Sequence, residues 1–156
     1  MGHQIESVHE PERWFAAQTF HSDAEHVGQV IGPAFGAVAA YLGRRGVPCE
    51  GPAVSRYRPE PGGFEVAAGF AVDGPFPEGE GVRPERLPET DALATLHTGA
   101  YTGLPGAYAD LEHEARVRGV ALDPTAMWEE YLDGPDVPPE QTRTRIVWPL
   151  VEAGSH

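Results

Sequence analysis

Arg118-Gly119-Val120 closes the second of two amphipathic segments and repeats Arg45-Gly46-Val47, which closes the first, 73 positions earlier. The same offset relates Ala34 to Ala107, Phe35 to Tyr108 and Ala53 to Ala126. A Gly behind one or more Arg is the signature of a helix C-terminus. Glycine takes the left-handed backbone that ends the helix, and the cations suit the negative end of its dipole. Working back from Gly46, Val27, Ile31, Ala34, Phe35, Val38 and Leu42 fall on one helical face. Working back from Gly119, Leu104, Tyr108, Leu111 and Ala115 point inward, while Asp110, Glu112, Glu114 and Arg116 point outward. Ser22 with Glu25 forms a capping-box start for the first helix. Pro33 inside it predicts a kink or a restart. The small-residue row Gly28, Gly32, Gly36 and Ala40 reads as plain surface.

Strands flank both helices. Gln4–Val8 and Trp14–Phe20, joined by the turn-like Glu10-Pro11-Glu12, precede the first. Val54–Arg58 and Phe64–Val72 follow it across Pro59-Glu-Pro-Gly-Gly63. Asp73–Pro88 reads as a long connection with an edge strand. Asp91–Thr98 precedes the second helix, and Met127–Leu132 and Thr144–Trp148 follow it, separated by the turn-rich Asp133–Glu140. Strand, helix ending in Gly, strand, strand: the order occurs twice. It is read as a degenerate duplication of a β-α-β-β unit, with repeats at about 1–73 and 83–151 of a single domain 1–152 and a tail at 153–156. Two such units side by side predict a groove at their seam, a usual place for a small-molecule site.

Composition narrows the function. A chain of 156 residues and 16.8 kDa supports one core. The net charge of −13 argues against a phosphate-binding surface, hence against direct nucleic-acid binding, and against anionic membranes, and it favours cationic partners. There is no Lys, so all 11 basic residues are Arg, which removes a Schiff-base lysine and a P-loop. Cys49 is the only cysteine, without a neighbouring base, and reads as an inert thiol. No stretch approaches the roughly 20 apolar residues of a membrane helix, and no leader pattern opens the chain, so a cytoplasmic protein is expected. His21 and His26 lie on different helix faces and no H-E-x-x-H occurs, so neither a metal nor a cofactor is expected. No G-x-S-x-G elbow is present.

The segment Trp128-Glu129-Glu130-Tyr131-Leu132 carries the chemistry. Strand side chains alternate, so Glu129 and Tyr131 share one face and Trp128 and Glu130 the other. An acid beside a ring suits a flat organic cation if it lines a pocket. With His97-Thr-Gly-Ala-Tyr101, Leu104-Pro-Gly-Ala-Tyr108, Pro135 and Arg143-Thr-Arg-Ile-Val-Trp-Pro-Leu150, this segment resembles the GyrI-like (gyrase-inhibitor-like) effector-binding family, which includes drug-sensing domains of AraC-type and MerR-type regulators and stand-alone members. The resemblance implies an α+β fold: two β-α-β-β repeats, a curved antiparallel sheet with both helices on one side, and a central cleft for lipophilic, often cationic, aromatic compounds. It places the family's acidic pocket residue on Glu129, with Tyr131 its partner. Arg145 departs from the family pattern, where an acid is common, and Val147 where an aromatic is.

Within that frame the expected ligand-binding set is Glu129, Tyr131, Tyr57, Trp148 and Met127, with Tyr57 on the opposite wall. Glu130 is expected to face solvent, Tyr101 to pack in the core and His97 to be structural. No DNA-binding segment precedes residue 1, so a complete transcription regulator is not expected. Two functions compete: a stand-alone protein that senses or sequesters a hydrophobic, cationic aromatic molecule, and a cofactor-free hydrolase of strained cyclopropane-type alkylating compounds. In the second, Glu129 acts as general base and Tyr131 as hydrogen-bond donor. A third reading, inhibition of a protein such as gyrase, rests on the resemblance and the acidic charge.

Overall fold

The computed structural model describes residues 3–23, 26–48, 52–134 and 136–151. The chain is α+β with antiparallel strands, and it divides into two compact units, Pro11–Glu89 and the remainder.

The contiguous unit contains β2 (Arg13–Ser22), α1 (Val27–Arg45), β3 (Ala53–Glu60), β4 (Gly63–Val72) and β5 (Val82–Leu87). Its strands run in the order β3-β4-β2-β5, every pair antiparallel. Ala34, Val38, Tyr41 and Leu42 of α1 pack on Ala16, Val66, Ala68, Val72 and Val82 of the sheet. β5 is the edge strand expected within the long connection. The helix runs through Pro33 without interruption. Pro33 is exposed, so the carbonyl that loses its amide partner can be met by water. Gly32 and Gly36 face open space, as the surface reading of the small-residue row requires. The capping box involves Glu25, which lies outside the described residues, as does Cys49; the residue before the helix is His26, with no side-chain cap.

The other unit contains β1 (Ile5–Glu10), β6 (Thr90–Thr98), α2 (Leu104–Arg118), β7 (Trp128–Tyr131) and β8 (Arg143–Pro149), with strands in the order β1-β6-β8-β7. Ala107, Leu111 and Ala115 of α2 meet Leu93, Ile146 and Trp148. Leu111 is fully buried, a contribution of about 1.5–3 kcal/mol.

The two units share one plan. β2-α1-β3-β4 matches β6-α2-β7-β8, and both helices end on a left-handed glycine, Gly46 at φ 66° and Gly119 at φ 71°. β1 and β2 are not hairpin partners, although only a short turn joins them. β1 pairs with β6, from Ile5 opposite Thr95 to Glu10 opposite Thr90, whereas β2 pairs with β4 and β5. Each unit thus takes a fourth, outer strand, one from downstream and one from upstream in the chain.

Candidate functional site

β7 turns its two faces to different surroundings. Trp128 and Glu130 point away from α2, and Glu129 and Tyr131 point towards it, as strand alternation requires. Glu129 stands opposite Ile146 in the ladder and is only 6% exposed. Tyr131 Oη donates to its Oε1 at 2.6 Å, and Tyr108 Oη, from α2, donates to its Oε2. Burial pushes the Glu129 carboxyl above the usual carboxylate range, and the two phenol donors pull it back only in part. No basic group contributes to its titration, and among the described residues none lies within ion-pairing distance. The result is a buried acid whose charge is met by hydroxyls alone.

Aromatic rings surround it. Tyr108 meets Trp148 edge-on at 5.7 Å, and Tyr101 meets Tyr131 edge-on at 6.0 Å. Trp148 is buried in the α2 cluster and donates through Nε1 to Asp123 O at 2.8 Å. Met127, half-buried, packs against the same cluster. Tyr57 belongs to the other unit. It sits on the helix side of β3, edge-on to Phe64 at 6.1 Å, against the cluster of Ala34, Val66 and Ala68.

Two side chains differ from the sequence expectation. Glu130 does not face solvent: it is 5% exposed, accepts from Trp128 Nε1 at 2.9 Å, and pairs with Arg145 at 3.2 Å. Arg145 also holds Glu10 at 3.0 Å, so the position that departs from the family pattern serves a buried ionic group on the face away from α2. Tyr101 is not core but 53% exposed, because a turn of 3₁₀ helix at Tyr101–Gly103 carries it outward. The residue that sequence reasoning missed is Tyr108. Its inward helical position was legible, but nothing in the pattern told that its hydroxyl meets Glu129. Among the described residues no cluster of three or more His, Cys, Asp or Glu could hold a metal ion.

The GyrI-like small molecule binding domain model matches residues 3–151. This chain belongs to the GyrI-like family. Similar folds accompany the match. The C-terminal domain of EcmrR superposes with a TM-score of 0.81 at 19% identity, covering 97% of this chain and 99% of that one. Against the EcmrR chain of an EcmrR–DNA complex, this GyrI-like chain spans 58% of that chain. SAV2435 bound to tetraphenylphosphonium gives a TM-score of 0.69 at 15% identity, covering 95% of this chain and 94% of that one. A hydrolase from Listeria innocua gives 0.68 at 13% identity, covering 96% and 93%. No curated protein sequence matches. No helix of the described residues is long and apolar enough to cross a membrane.

Proposed function

We propose that this GyrI-like domain binds a lipophilic aromatic cation, with Glu129 as its counter-charge and Tyr131 and Tyr101 as aromatic contacts. The observation that carries this reading is the buried Glu129 carboxylate, held by two phenols and no cation. A charge left without an opposite partner in a dry setting is unfavourable, and a bound organic cation relieves that cost. Rings beside it add stacking and cation–π attraction of roughly 0.5–2 kcal/mol each. The similarity to SAV2435 bound to tetraphenylphosphonium supports the ligand class. Trp148 and Met127 remain in the proposed set as further apolar walls. The acidic charge of the chain, −13, favours a cation over a nucleic acid as the direct ligand.

A second reading uses the same atoms. A carboxylate that accepts from two phenols can take a proton from water while a phenol steadies a developing oxyanion, as hydrolysis of a strained ring requires. The Tyr131–Glu129 pair at 2.6 Å and the similarity to a hydrolase favour keeping it.

One experiment separates them. The protein is incubated with tetraphenylphosphonium and with a conjugated cyclopropane, affinity is measured by calorimetry, and the recovered compounds are weighed by mass spectrometry. The binding reading expects saturable uptake of the cation and both compounds returned unchanged. Hydration of the cyclopropane, lost in Glu129→Gln, establishes the hydrolase instead. Absence of cation binding overturns the first reading.

A further inference from the structure

β6 and α2 carry a second polar chain that the proposed binding chemistry does not use. His3 Nδ1 lies 2.7 Å from Asp110 Oδ2, and the His3 backbone N–H donates to the same oxygen at 2.9 Å. His3 Nε2 lies 2.9 Å from His97 Nδ1, and His97 Nε2 lies 2.9 Å from Ala100 O. His97 is 7% exposed, so water does not readily replace its bonds, whereas the His3–Asp110 end is more open, with side chains 20% and 37% exposed.

The two ends of the chain fix how many protons it holds. A carbonyl only accepts, so His97 Nε2 carries hydrogen. The Asp110 carboxyl is held below the usual carboxylate range by its hydrogen bonds from His3, so it too accepts, and His3 Nδ1 carries hydrogen. One more hydrogen lies between His3 Nε2 and His97 Nδ1. Three hydrogens on two imidazoles is one more than a neutral pair holds. The chain is complete only while the pair is positively charged.

Its inner end grips the loop before α2. Ala100 directly precedes Tyr101, whose ring lies against Tyr131, the donor to Glu129. The loop turns on Gly99 at φ 137°, whose N–H donates to Thr142 O at 2.8 Å. Gly103 closes against the imidazole; a Cβ there would stand 2.7 Å from His97 Cε1. Other groups facing the pair are few. From α2 come Asp110 and His113, the latter acting on Asp110. From β8, Thr144 stands opposite His97 with a neutral hydroxyl, and the next residue, Arg143, is engaged by Asp133. Glu114 and Arg118 pair with each other, and Arg118 reaches Ile5 and Ser7 further along β1.

We propose that the Asp110–His3–His97–Ala100 chain is a proton-operated latch: charged, it ties the Tyr101 loop through His97 and His3 to α2, and loss of one proton breaks a link of that tie and loosens the loop beside the Glu129 site. The regulatory meaning rests on the binding reading above; the latch itself does not. Imidazole is the side chain whose charge responds to pH near neutrality, and the latch loosens as rising pH removes a proton from the chain. His97 is here a positioning residue.

The test begins without ligand. Hydrogen exchange of residues 98–104, corrected for intrinsic chemistry, is followed by mass spectrometry from pH 6 to pH 8. Wild type is expected to lose protection by about fivefold, the opening that one lost hydrogen bond allows. His3→Asn and Asp110→Asn, each checked for an unchanged far-ultraviolet spectrum, are expected to abolish that dependence. An unchanged pH dependence in both variants overturns the latch. The tetraphenylphosphonium dissociation rate is then compared over the same range, with an increase of about fivefold expected in wild type and none in His3→Asn. A flexible loop with identical dissociation rates in both proteins overturns its control of the site. A pH-dependent loop in a protein that takes up no tetraphenylphosphonium leaves the latch standing and removes the binding reading.

Discussion

The strands that follow the helices in the two units, β3 and β7, hold matching places in a shared plan and use their charges differently. On the face away from the helix, each unit sets an arginine between two carboxylates: Arg145 with Glu10 and Glu130, Arg56 with Glu65 and Glu85. On the face towards the helix they part. β3 presents Tyr57 to an apolar cluster, whereas β7 presents Glu129 to two phenols. The ionic groups recur and are balanced by protein side chains, so they belong to the fold. The helix-facing carboxylate has no counterpart among the described residues of β3 and no cation of its own, which is why the proposed site is built on it.

The largest effect should come from the better-made ionic group. Arg145→Met strips two nearly buried carboxylates of their shared cation and is expected to cost about 3 kcal/mol in denaturant unfolding. Arg56→Met should cost about 1 kcal/mol or less, because its contacts are 3.4 Å long, its Nη1 has no partner, and Glu65 and Glu85 reach water more easily. Equal losses would erase the contrast between the two groups.

Next in size is the site charge. Glu129→Gln keeps the shape and removes the charge, and should weaken tetraphenylphosphonium by one to two orders of magnitude, or about 1.4–2.8 kcal/mol, with a neutral analogue affected far less. Equal losses for both ligands would make Glu129 structural.

The pH response follows from the raised Glu129 carboxyl. Folded protein keeps this proton to higher pH than the unfolded chain does. Glu129 therefore lowers stability as pH rises from the ordinary carboxylate range to its raised value, and the loss is complete above that. Cation affinity should rise across the same window, with proton release in calorimetry, and Glu129→Gln should flatten both trends. The smallest effect is Tyr131→Phe. Losing one donor should move the Glu129 titration further upward, as followed by carboxyl-carbon NMR, while Tyr57→Phe leaves it in place.

The elements were legible because two periodicities and two glycine stops are strong signals: both helices end at Gly46 and Gly119 as read. Strand pairing was less so. The Glu10-Pro11-Glu12 turn suggests a hairpin, yet β1 pairs with β6, from Ile5 opposite Thr95 to Glu10 opposite Thr90, and no local pattern encodes that. The offset of 73 also slips by one residue after the helices. It equates Tyr57 with Glu130, but Tyr57 lies on the helix side of its strand and Glu130 on the opposite side. A slip of one residue exchanges the faces of a strand. Glu130 was expected to face solvent because alternation puts it on the face opposite Glu129, but that face of β7 is itself buried and holds Arg145. Glu129 and Tyr131 were placed on one face by alternation alone. Tyr108 lies 21 positions from Glu129, and its contribution depends on how α2 docks on the sheet.

The upstream origin of β1 bears on how the chain folds during synthesis. The Pro11–Glu89 unit is continuous, so all its strands can pair once that stretch has emerged. β1 is made before that unit and its partner β6 only after it, so its edge must wait unpaired while the whole unit is synthesised. The edge strand of the unit that carries the proposed site is therefore made before the contiguous unit and secured only after it.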